Sequence, residues 1–165
     1  MDKKEFIKRA TELGAADAKF IPVKTIVAAE WVRLKCKFGC DGYGKRLTCP
    51  PHSPTPEETR KVLSFYKQAL LIHGTGEEAV TPIAITLEKE FFLSGHEKAF
   101  AMGAGPCLVC KRCDFEDCKQ PQEARPSMEA CGIDVYSTVR ANGFPIQVLK
   151  DERCKGNYYA LVLVE

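Results

Sequence analysis

Between residues 2 and 13 the apolar side chains Phe6, Ile7, Ala10 and Leu13 recur every three or four positions, which predicts an amphipathic helix stopped by Gly14. Residues 16–23 are short and apolar and read as a strand. Apolar and basic residues alternate in Trp31-Val32-Arg33-Leu34-Lys35-Cys36, which predicts a second short strand. A helix is expected from about Pro56, capped by Ser53 or Thr55, because proline followed by Glu57 and Glu58 suits a first turn. Its apolar residues Val62, Leu63 and Tyr66 lead into a strand at 69–73, and Gly74-Thr75-Gly76 breaks the chain. Thr81-Pro82 then opens a long helix, kinked near Gly95 and reaching about Met102. A further helix is expected at 133–141, stopped by Asn142-Gly143, followed by strands at 145–149 and 158–164. The pattern is that of one α+β domain over residues 1–165: a mainly antiparallel sheet flanked by helices, with two cysteine-rich loops.

Those loops carry the candidate chemistry. Cys107, Cys110, Cys113 and Cys118 fall within twelve residues, the first three in a C-x2-C-x2-C run. Such a run wraps closely around an iron–sulfur cube, which takes three sulfurs from one short loop and a fourth from further along. It is close to the bacterial ferredoxin run, with one extra residue before the last cysteine and no proline directly after it. Zinc is the alternative, although zinc frameworks usually pair two C-x2-C units across a longer gap.

The earlier loop holds Cys36, Cys40 and Cys49 among Gly39, Gly42 and Gly44, and Pro50 and Pro51 stiffen its exit. Three cysteines leave a fourth ligand open among Cys131, Cys154, Cys118 and His52, or leave one metal position free. In two-cluster ferredoxins the last cysteine of the run serves the other cluster, so Cys118 and Cys131 are candidates for exchange between sites. Ser127 is a natural cap for the turn that carries Cys131. Basic residues surround both loops: Arg33, Lys35, Lys37, Lys45 and Arg46 at the first, Lys111, Arg112, Lys119 and Arg125 at the second. They suit a negatively charged cluster or an acidic electron-transfer partner. His73 reads as a surface or edge residue and His96 as a solvated one. Trp31, Tyr43, Tyr66 and Phe115 read as core or cluster-shielding residues.

Composition narrows the class. Nine cysteines, an odd number, with no signal-peptide pattern after Met1, point to a reducing cytoplasm and to metal ligation over disulfides. The apolar runs are too short for a membrane span. A net charge of +2 gives no nucleic-acid signal.

Three ordered motifs carry a resemblance: Cys36…Cys40…Tyr43-Gly44…Cys49-Pro50-Pro51, then Gly105-Pro106-Cys107…Cys110…Cys113…Cys118, then Arg125-Pro126-Ser127-Met128-Glu129-Ala130 with Gly132-Ile133-Asp134. Together they resemble the predicted metal-binding proteins grouped as domain of unknown function 2284, over nearly the whole chain. The resemblance implies metal or iron–sulfur binding at Cys36, Cys40, Cys49, Cys107, Cys110, Cys113 and Cys118. One departure is that Cys36 and Cys40 enclose three residues where the family more often has two. The expected function is a small redox protein with two 4Fe–4S clusters and a redox partner. The alternatives are an enzyme with an open iron at the three-cysteine loop, or a zinc-bound interaction module.

Overall fold

The computed structural model describes residues 2–75, 77–151 and 153–165; Gly76, named in the expected chain break, lies outside them. Four strands form one sheet in the order β1-β2-β4-β3, antiparallel throughout: β1 (Asp17–Pro22), β2 (Gln68–Gly74), β3 (Phe100–Met102) and β4 (Tyr158–Leu163). Strand periodicity divides β2 and β4 between two cores. Leu70, Ile72, Ala160 and Val162 face one side; Ala69, Leu71, Leu161 and Leu163 face the other, and all eight are fully buried. Burial on both faces explains why these strands read as continuous apolar runs.

The first face is covered by α1 (Lys3–Glu12) and α4 (Glu77–Leu93). Helix α1 begins at a capping box in which Asp2 and Glu5 satisfy each other's amides. It buries Phe6 and Ala10, and the Phe6 ring stacks on Phe91 of α4 with centroids 3.6 Å apart. The second face is covered by residues 126–144, including α5 (Val135–Ala141), and by α3 (Pro56–Leu63). Helix α3 starts at Thr55 as expected, again in a capping box, and ends at Leu63, before Tyr66.

Three expected elements take other forms. Residues 31–36 lie in a helix, α2 (Glu30–Gly39), not a strand. Helical spacing turns Val32 to the core and leaves Leu34 and Phe38 in solvent. The long helix stops at Leu93; Gly95, at φ +98°, reverses the chain so that β3 pairs with β4. Pro82 lies inside that helix instead of opening it, and its carbonyl accepts the Thr86 hydroxyl at 2.9 Å. Residues 145–149 form no strand, because β2 and β3 already occupy both edges of β4.

Gly132, at φ +75°, packs against Pro56 so closely that an added Cβ would lie 2.5 Å from the proline Cγ. Gly132→Ala is therefore expected to destabilise the fold by about 1–3 kcal/mol. An unchanged urea midpoint would refute that.

Candidate metal centre

Residues 126–134 anchor both cysteine loops. The amides of Ala29 and Asp134 exchange hydrogen bonds across to Gly132 and Val27 carbonyls, at 2.8 and 2.7 Å, which seats the start of α2. Ser53 Oγ donates to the Ala130 carbonyl and Thr59 Oγ1 to the Cys131 carbonyl, both at 2.6 Å, which seats the end of the first loop. Gly103 donates to the Pro126 carbonyl at 2.9 Å and accepts from Met128 at 3.0 Å, which fixes the start of the second loop. As expected, Ser127 acts as a local cap, accepting the Ala130 amide at 3.0 Å.

Cys36 lies in the last turn of α2 and Cys40 follows it. Gly44, at φ +71°, donates to the Pro50 carbonyl at 2.8 Å and folds the loop back. Arg33 Nη2 ties helix to loop through the Ser53 and Pro54 carbonyls, at 2.7 and 2.5 Å. Cys36, Cys40 and Cys49 thereby line one cavity of about 430 Å³. Burial pushes the Cys36 thiol above its ordinary pKa, with Cys40, Glu129 and Cys49 adding to the rise. Burial raises Cys49 as well. Cys36 and Cys49, whose thiolates burial and the neighbouring Cys40 disfavour, lose that penalty when a metal cation lies among the three sulfurs.

Cys107, Cys110, Cys113 and Cys118 line a second cavity of about 40 Å³, roughly three times the space one water needs. Its loop has no regular secondary structure over residues 107–118. Asp114 shapes it by accepting the amides of Glu116 and Asp117 at 3.0 and 3.4 Å. Those amides, Glu116 first, hold its carboxyl below the usual range. The two loops also touch. Arg46 Nη1 donates to the Cys110 carbonyl at 2.7 Å, the Leu47 amide donates to Cys113 Sγ at 3.4 Å, and Cys107 helps to raise the Cys49 pKa. Thr48 lines the second cavity, and its buried hydroxyl has no hydrogen-bond partner of normal geometry, although it favours the neighbouring Cys49 thiolate. Among the described residues, no three His, Cys, Asp or Glu side chains gather as the shell of a single metal ion.

The other candidates lie apart from both cavities. Cys131 is fully buried in the core beside Met128 and Ile133, and burial pushes its thiol up to about 12. Cys154 is exposed, its Sγ 3.8 Å from Asp151. His52 packs on Phe115 at 5.1 Å and lines neither cavity. His73 is not an edge residue: it lies in central β2, stacked on Tyr159 and bonded to Asn157 at 2.8 Å. His96 meets the rings of Phe6 and Phe91 edge-on.

Of the nine basic residues near the loops, Arg125 pairs with Glu88 and Lys119 with Asp114 and Asp117. Lys35, Lys37, Lys45, Lys111 and Arg112 make no ion pair among the described residues. Sequence spacing did not reveal that residues from β4 and from 146–157 wall the first cavity. Only tertiary contact brings them there.

Among the described residues no helix is long and apolar enough to cross a membrane. The model of a family described as predicted metal-binding protein (DUF2284) matches residues 19–164. No curated protein and no solved structure gives a significant match.

Because Cys131 stays protonated up to about 12, its share of stability is complete below the ordinary thiol value and declines as pH rises from there toward 12. Cys131→Ala should flatten that decline in chemical denaturation. At pH 8 iodoacetamide should label exposed Cys40 and Cys154 and leave Cys131 unmodified in the folded protein. Early labelling of Cys131, read by peptide mass spectrometry, would contradict its burial.

Proposed function

The chain belongs to the predicted metal-binding protein family DUF2284, and we propose that it is an iron–sulfur protein with two four-iron centres that exchanges single electrons with a partner protein. The observation that carries this reading is the pair of cavities, one lined by four thiols and one by three, whose loops are hydrogen-bonded to each other. The donor set fits. Soft thiolates select iron–sulfur clusters or zinc, and the C-x2-C-x2-C run favours the cluster.

In this reading Cys107, Cys110, Cys113 and Cys118 hold one centre, and Cys36, Cys40 and Cys49 hold the other. When bound, such a group supplies reversible one-electron chemistry. The chain's own residues adjust it. The Leu47 amide donates toward a ligand sulfur, and the Thr48 hydroxyl offers an unused donor beside the same cavity. The unpaired lysines and Arg112 favour the more negative, reduced state and steer an acidic partner toward these loops. The first cavity has no fourth thiol in its wall, and this favours a second role there: a metal position left open to a small molecule.

Protein purified without oxygen should be brown and contain iron and acid-labile sulfide. Cys110→Ala should lose about half of both and melt at lower temperature, because metal binding and folding are linked. Full iron in that variant would remove Cys110 from the ligand set. A colourless protein with stoichiometric zinc would replace the iron reading with the zinc one.

A further inference from the structure

The two thiol-lined cavities differ about tenfold in size, about 430 against about 40 Å³. Similar metal groups in both would leave most of the larger one for another occupant. Its volume is within the range of pockets that enclose small organic ligands, about 300–1,000 Å³. The wall beyond the thiols is predominantly apolar and rich in rings: Trp31, Tyr43, Tyr136, Tyr158 and Tyr159, with Ile146 beside them.

That wall is held in place. An added Cβ at Gly156 would lie 2.5 Å from the Tyr158 ring, so the glycine leaves the space that this ring occupies. Asn157 bonds His73 at 2.8 Å and Gln147 at 3.2 Å, tying the 146–157 segment to β2. Tyr159 donates its hydroxyl to the Pro145 carbonyl. Among the described residues the hydroxyls of Tyr43, Tyr136 and Tyr158 have no protein partner.

We propose that this cavity binds a small, neutral, planar aromatic molecule with one polar edge, as the substrate-class ligand of the three-thiol centre. The aromatic rings in the wall favour an aromatic over an aliphatic guest, and the Tyr43, Tyr136 and Tyr158 hydroxyls meet its polar edge. The role as ligand of that centre rests on the iron–sulfur reading; the aromatic site itself does not.

Trp31 is the only tryptophan and it lines this cavity, where an iron–sulfur group would itself quench the indole, so occupancy is read by equilibrium dialysis. With the protein as purified, 4-phenylphenol should bind saturably in equilibrium dialysis, and 4-cyclohexylcyclohexanol should bind at least about tenfold more weakly. Tyr136→Ala should weaken 4-phenylphenol by about two- to tenfold, the scale of one aromatic pair. Should that variant fail to fold by circular dichroism, Leu149→Arg, at an exposed wall position, should weaken it by a similar factor. Uptake without saturation, equal binding of the aliphatic probe, or unchanged binding by a folded variant would overturn the proposal. Iron analysis of the same sample separates the two readings: saturable binding without metal sinks the iron–sulfur reading alone, and metal without saturable binding sinks the cavity proposal alone.

Discussion

The hydrogen bonds made by residues 126–134 are the constraint on which the metal-centre geometry depends. This short segment presents backbone carbonyls and amides to three otherwise separate parts of the chain: the entry to α2, the end of the first cysteine loop with α3, and the start of the second loop. Its own side chains, Met128, Cys131 and Ile133, are buried against the sheet. Apolar burial on one side and polar satisfaction on the other make it a keystone. Buried carbonyls left without donors would each cost about 1–3 kcal/mol, so Ser53 and Thr59 matter more to the site than their small side chains suggest.

Much of this was legible in the sequence, and the exceptions have physical causes. The α1 pattern, the apolar runs of β2 and β4, and the Thr55 cap were all readable because local period and capping chemistry agree with the tertiary result. The segment 31–36 misled because its basic residues fall between apolar ones at strand spacing, while the decisive contact, Val32 against the core, is tertiary. His73 looked like a boundary residue because it ends an apolar run. In the fold that run is a central strand, and the ring is enclosed by Tyr159 and Asn157. The grouping of cysteines into 36/40/49 and 107/110/113/118 followed from spacing. The core placement of Cys131 did not, since a buried thiol and a ligand thiol look alike in one sequence.

The electrostatics of the loops combine thiols that resist ionisation with a surplus of basic side chains. Desolvation and neighbouring thiols disfavour free thiolates at Cys36 and Cys49, while several nearby lysines make no ion pair among the described residues. An excess of cations over acids and a set of thiols reluctant to ionise alone are complementary when an anionic metal–sulfur group occupies the loops. Arg46 and Leu47 make the two loops one mechanical unit, so a disturbance at one is felt at the other.

The position of β4 has a consequence for biogenesis. It lies between β2 and β3, yet it follows all nine thiols in the order of synthesis. A nascent chain thus displays every sulfur before its central strand exists to organise them. The sulfur-rich loops are therefore made before the strand that completes the sheet, and in the interval before sheet closure those thiols are open to oxidants and competing metals.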